Sequence, residues 1–144
     1  MKETVRKKTV EAMFDLFPKG RKLIYEAFDK LDDKLTRTQQ MILLALNCED
    51  RLSMSQLADR ICTSNEQATR AVASLVDNGY VTREQNKQNR RVVNISLTDK
   101  AKDYIDKGKK NVLADTQSNV KRLSDEDLES IRSAVNTLLK LYKA

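Results

Sequence analysis

The chain of 144 residues is the size of one domain, and 40% hydrophobic against 33% charged residues is an ordinary globular composition, neither disordered nor membrane-embedded. It contains no histidine and no tryptophan, which removes the commonest general base, the commonest zinc ligand and every Ser-His or Cys-His catalytic pair. The net charge of +6 suits a polyanionic partner. It is spread evenly, with +2 in each of residues 1–35, 36–98 and 99–144, and only the run R-E-Q-N-K-Q-N-R-R from Arg83 to Arg91 concentrates basic side chains. Cys48 and Cys62 are too few for a disulfide framework. No apolar run approaches the roughly 18 residues that span a bilayer, and the N-terminus lacks a signal-like apolar stretch, so a cytoplasmic protein is expected. No enzyme activity, cofactor or metal site is expected.

Three glycines and one proline leave few places for turns, so most of the chain should be helical. Val5, Val10, Met13, Phe14 and Phe17 recur at near-helical spacing, and Leu23, Ile24, Phe28 and Leu31 resume it. Pro18-Lys19-Gly20 between the two sets predicts a kink or break. After a polar link at Asp32-Asp33-Lys34, residues Met41 to Ala45 are apolar nearly all round, and Thr36 with Gln39 supplies a capping box for a buried helix. Cys48, at the end of this run, reads as a buried small hydrophobe.

Two further capping boxes, Ser53 to Gln56 and Ser64 to Gln67, open short helices separated by a turn at Cys62-Thr63, which makes a helix-turn-helix. Gly79 is placed to end the second helix in the left-handed conformation. The period then changes to two. Tyr80 to Arg83 and Arg91 to Thr98 read as strands, with Val93, Ile95 and Leu97 on one face and a polar basic loop between. This hairpin beside a helix-turn-helix predicts a winged helix. Thr98 then caps a long helix, and a break near Leu123 leads to a capping box at Ser124 to Asp127. Leu128, Ile131, Val135, Leu138 and Tyr142 follow at helix–helix seam spacing. The fold expected is mainly α with a small β-hairpin wing. Residues 36–98 are expected to form the winged helix-turn-helix lobe, and residues 1–35 and 99–144 a helical lobe, within one compact domain.

The order and spacing of these pieces resembles the MarR (multiple antibiotic resistance regulator) family of bacterial transcription factors. The matching stretches are Leu35-Thr-Arg-Thr-Gln-Gln, Leu57-Ala-Asp-Arg-Ile, Ser64-Asn-Glu-Gln-Ala-Thr-Arg70, Asp77-Asn-Gly-Tyr-Val, Asn89-Arg-Arg91 and Asn94-Ile-Ser-Leu-Thr98. Three positions depart from the family pattern. Asn89 stands at its wing-tip acid, leaving at most a neutral hydrogen bond to hold the wing arginine. Cys62 stands where its turn commonly has glycine, and Ala101 replaces a glycine after the wing. The resemblance implies a homodimer interlocked through its N- and C-terminal helices. It also implies a repressor bound to a pseudo-palindromic operator and commonly released by a small ligand or by thiol oxidation.

With Ala68 and Val72 inward, rotation of about 100° per residue turns Glu66, Thr69 and Arg70 outward, with Asn65 and Gln67 exposed in the first turn. Asn and Gln can read adenine and Arg can read guanine or clamp a phosphate, while the helix start at Ser64 offers backbone N–H groups. Ser64, Asn65, Gln67, Thr69 and Arg70 are therefore the candidate major-groove residues for double-stranded DNA. Lys87, Arg90 and Arg91 are the wing candidates. Phe14, Phe17, Tyr25, Phe28 and Tyr104 are candidates to line a pocket for a small aromatic effector, against the alternative of core or dimer interface. Cys62, just before a helix start, is the candidate redox position. The rival readings are a redox-responsive regulator working through Cys62 and a winged-helix protein-interaction adaptor.

Overall fold

The structure is a computed structural model and describes residues 2–142. Within them the chain runs α1 (Lys2–Asp29), α2 (Arg37–Cys48), β1 (Leu52–Ser53), α3 (Met54–Arg60), α4 (Asn65–Asp77), β2 (Val81–Gln85), β3 (Val93–Leu97), α5 (Asp99–Val120) and α6 (Asp125–Leu141). No helix among the described residues is long and apolar enough to cross a membrane. The sheet is antiparallel in the order β1-β3-β2, so the expected hairpin is joined by a third strand. Strand β1 is two residues long, too short for alternation to announce it. Its Leu52 pairs with Ile95 of β3, which pairs in turn with Arg83 of β2.

The core is built from Phe28, Ile42, Leu43, Leu46, Leu57, Val72, Leu75, Val81, Ile95, Tyr104 and Ile105, together with their neighbours. It therefore joins the end of α1 and the start of α5 to the helix-turn-helix and the sheet. Helix α1 contributes only Ala27 and Phe28 to the buried set, and α6 contributes nothing. At the α1–α5 crossing the backbone of Gly108 lies so close to Phe28 that a Cβ there would meet the ring at 2.2 Å. The crossing is fixed further by Asn111 Nδ2 donating to the Ala27 carbonyl at 3.0 Å and by the Lys30–Asp115 ion pair at 2.8 Å.

The helix starts follow the sequence, with two differences. Thr36 and Ser53 form complete capping boxes with Gln39 and Gln56. Ser64 and Ser124 cap only in one direction, each accepting from the backbone N–H three residues on. The Gln67 carbonyl oxygen instead accepts from the Thr63 hydroxyl, and the shorter Asp127 side chain makes no return bond. The expected break at Pro18 is absent, because α1 runs through it. The loss is one N–H on an exposed stretch, where water can serve the freed carbonyl. Cys48 is exposed rather than buried. Leu46 faces the core, and two residues on, about 200° round the helix, Cys48 points away.

Both turns that frame α4 are Schellman motifs. After α4, Tyr80 N–H donates to the Leu75 carbonyl and Gly79 N–H to that of Val76, with Gly79 at φ 81°. After α3, Thr63 N–H donates to Ala58 and Cys62 N–H to Asp59, with Cys62 at φ 55°. Cys62 thus occupies a left-handed position with a Cβ, at a cost of about 1–2 kcal/mol.

Two stability changes are expected. Gly108→Ala should destabilise by about 1–3 kcal/mol in urea unfolding, since the clash with Phe28 outweighs the better helix propensity of alanine. Cys62→Gly should raise stability by about 0.5–1 kcal/mol, as the relief of the left-handed strain exceeds the entropy glycine returns to the unfolded chain. An unchanged or lower midpoint for the latter would contradict this account of the turn.

Candidate nucleic-acid interface

Helix α4 is held in rotation by Ala68, Val72 and Leu75, all fully buried. Gln39 Nε2 also donates to Ser74 Oγ at 3.0 Å, tying α4 to α2. The opposite face carries Ser64, Asn65, Glu66, Gln67, Thr69 and Arg70, all exposed, and Ala73 is half-buried at its edge. Within that face Thr69 donates its hydroxyl to the Asn65 carbonyl at 2.7 Å. Gln67 is engaged by Thr63 through its carbonyl oxygen, which leaves its amide N–H groups. Glu66 is the one acid on this first turn.

The wing is a β2–β3 hairpin in register from Val81↔Leu97 to Gln85↔Val93. Its loop is shaped by asparagine turns. Asn86 Oδ1 accepts from Gln88 N–H at 2.8 Å, and Asn89 Oδ1 accepts from the backbone N–H of Arg91 at 3.2 Å. The neutral bond expected at the wing tip is therefore made to the Arg91 backbone. Lys87, Arg90 and Arg91 are all exposed, and none is ion-paired among the described residues.

Between α4 and the wing lies a groove of about 490 Å³, with Asn65 and Thr69 on one wall and Arg83 and Arg91 on the other. Arg70 lies outside it, beside Asn65, Glu66 and Thr69 on the outer surface of α4. Of the candidate residues, Asn65 and Thr69 of α4 and Arg91 of the wing share this groove, whereas Lys87 lines a separate surface depression with Arg51, Glu84 and Asn94. Arg83 was absent from the sequence-derived set. It lies in register with Ile95 and Leu52, on the sheet face turned toward the helices. It closes the strand expected over Tyr80 to Arg83, and two-residue alternation from the buried Val81 puts it on the same face.

The five aromatic candidates do not come together. Phe28 and Tyr104 are core residues with ring centroids 5.3 Å apart. Phe14 and Phe17 are exposed on α1. Tyr25 is half-buried beneath the Arg37 guanidinium, which sits 4.3 Å from its ring centroid. A shallow open pocket of about 390 Å³ surrounds Tyr25, lined also by Pro18, Arg21, Lys22, Glu26 and Arg37. The Cys62 thiol is exposed and free.

A polar seam joins α1, α2 and α5 under the helix-turn-helix. Gln40, only 2% exposed, donates to Asp29 Oδ1 at 2.9 Å and to the Tyr104 hydroxyl at 3.3 Å, and accepts from Arg37 at 2.7 Å. The Gln40 amide and Arg37 hold the Asp29 carboxyl below its ordinary pKa. Burial pushes the Tyr104 phenol above its usual value. Tyr80, at the end of α4, donates its hydroxyl to Asp33 and meets Tyr104 edge-on with centroids 6.1 Å apart. Burial and the Asp33 carboxylate raise the Tyr80 phenol too.

The MarR family model matches residues 35–93, the stretch from the start of α2 to the far strand of the wing. The transcriptional regulator SarZ of Staphylococcus epidermidis is 28% identical over 108 residues, 74% of this chain and 70% of that protein. Among solved structures, RV1404 of Mycobacterium tuberculosis superposes with a TM-score of 0.74 at 15% identity, covering 92% of this chain and 90% of that one. A variant of E. coli MarR in complex with operator DNA superposes with a TM-score of 0.59 at 21% identity, covering 90% and 91%. The helix-turn-helix and wing are thus similar in sequence to the MarR family, and the fold of nearly the whole chain is shared with these solved structures.

Proposed function

We propose that this protein is a sequence-specific DNA-binding transcriptional regulator that acts in the cytoplasm as a homodimer on a pseudo-palindromic operator, and that it represses. The observation carrying this reading is the groove that Asn65 and Thr69, on the exposed polar face of α4, share with Arg91 of the wing. Helix α4 would enter the major groove, with Asn65, Gln67, Thr69 and Arg70 at base edges and Ser64 at the helix start near a phosphate. Lys87, Arg90 and Arg91 would reach the neighbouring groove or backbone. The E. coli MarR variant that shares this fold was solved in complex with operator DNA, which supports a DNA-binding role.

Dimerisation is supported by apolar surface that one chain leaves uncovered. On α1, Val10 and Phe14 are 63% and 76% exposed, and on α6 Leu139 and Tyr142 are 64% and 63% exposed. Phe17 and Tyr142 already meet edge-on within the chain, at 6.4 Å between centroids, which places the two faces side by side. In this reading residues 36–98 form the DNA-binding lobe, while residues 1–35 and 99–144 set the half-site spacing. A small aromatic effector would act by changing that spacing. The pocket beside Tyr25, with Arg21, Lys22 and Arg37 at its edge, offers such a ligand cations.

Affinity selection from a random duplex pool at two salt concentrations tests the proposal. Enrichment of an inverted repeat, with affinity falling steeply as salt rises, is expected. Arg70→Ala and Arg91→Ala should each weaken binding by about tenfold or more while leaving a folded dimer. A folded dimer that binds no duplex at low salt would overturn the reading in favour of a protein-interaction adaptor.

A further inference from the structure

We propose that the groove between α4 and the wing is a seat for one backbone phosphate of the duplex, and that Arg83 is its fixed charge. This rests on the DNA-binding reading and adds to it a site and a residue. Arg83 and Arg91 both line the groove, no acidic side chain does, and its other polar walls include Asn65 and Ser55. Neither arginine has a carboxylate within 4.0 Å among the described residues. A guanidinium stays charged in a protein, so two of them facing one acid-free groove repel each other until an anion enters.

The two arginines differ in how they are held. Arg91 belongs to the loop, positioned by its backbone bond to Asn89. Arg83 sits within a paired strand, in register with the fully buried Ile95. The Arg83 backbone is anchored on the sheet and so fixed relative to the core that also orients α4, which lets its side chain set the register of the DNA backbone against the recognition helix. That is the role of a phosphate contact, which positions without reading sequence. Asn89 is uncharged at the wing tip and leaves the Arg91 guanidinium free for the same phosphate.

The test measures affinity for the selected operator and for weaker sequences from the same pool across a salt series, with the full chain and its Arg83→Gln, Arg83→Lys and Asn89→Asp variants. Arg83→Gln should bind about tenfold more weakly on every sequence, keep their ranking, and flatten the log–log salt slope by about 0.9, the value of one phosphate. Arg83→Lys should keep most of the slope. Asn89→Asp, which sets a carboxylate beside Arg91, should flatten it as well, and Arg83→Ala, read for the same loss of slope, decides the matter if Arg83→Gln does not fold. An unchanged slope in a folded Arg83→Gln that still selects the operator overturns the phosphate seat and leaves the regulator intact. A loss confined to one base position overturns it in favour of base reading. Inorganic phosphate that binds the chain without DNA at millimolar concentration, coupled with wild-type DNA binding by Arg83→Gln, overturns it in favour of a small-anion site. A wild-type chain that binds no duplex removes the DNA reading itself.

Discussion

The close approach of α1 and α5 at Gly108 is the contact on which the remaining architecture depends. Only a residue without a side chain lets the Phe28 ring reach the α5 backbone, and that ring is one of the two residues by which a 28-residue helix enters the core. Phe28 in turn packs against Tyr104, Tyr104 accepts from Gln40, and Gln40 belongs to the helix that supports α4 through Gln39 and Ser74. The packing of the long helices against the winged helix therefore begins with a missing methyl group.

The seam that continues from this contact is polar where a core is usually apolar. Gln40 is nearly inaccessible and has Asp29, Arg37 and Tyr104 as partners, so its burial is matched by hydrogen bonds rather than left as an unpaired amide. Directional bonds of this kind specify one relative placement of α1, α2 and α5, whereas apolar side chains tolerate sliding. Tyr80 extends the specification to the end of α4. The same residue supplies the N–H that closes the Schellman turn and the hydroxyl that reaches Asp33, so the C-terminal end of α4 is bound to the link between α1 and α2.

At the protein surface, local preference gives way to what a partner supplies. Cys62 holds a left-handed turn between α3 and α4 that glycine would hold at lower cost. The apolar stripes of α1 and α6 stay open in a single chain, and the arginines of the wing stay without counter-charge. Uncovered apolar area suits a second copy, and unneutralised arginines suit a polyanion.

Much of this protein follows from short-range chemistry. Thr36, Ser53, Ser64, Thr98 and Ser124 mark every helix start after the first, because a capping bond spans only three residues. The inward face of α4 follows from its 3.6-residue period, and the outward Asn65, Thr69 and Arg70 follow from the same rotation. Tertiary structure decided what depends on neighbours distant in the chain. Strand β1 exists because β3 offers it an edge, and Gln40 is buried because Asp29 and Tyr104 meet it. Phe28 and Tyr104 became core while Phe14 stayed exposed, although all three look alike in sequence. Arg83 became part of the groove because only the fold brings α4 and Arg91 beside its strand. Periodicity and capping are fixed within a turn or two of chain, whereas burial and register are fixed by surfaces that meet only after folding.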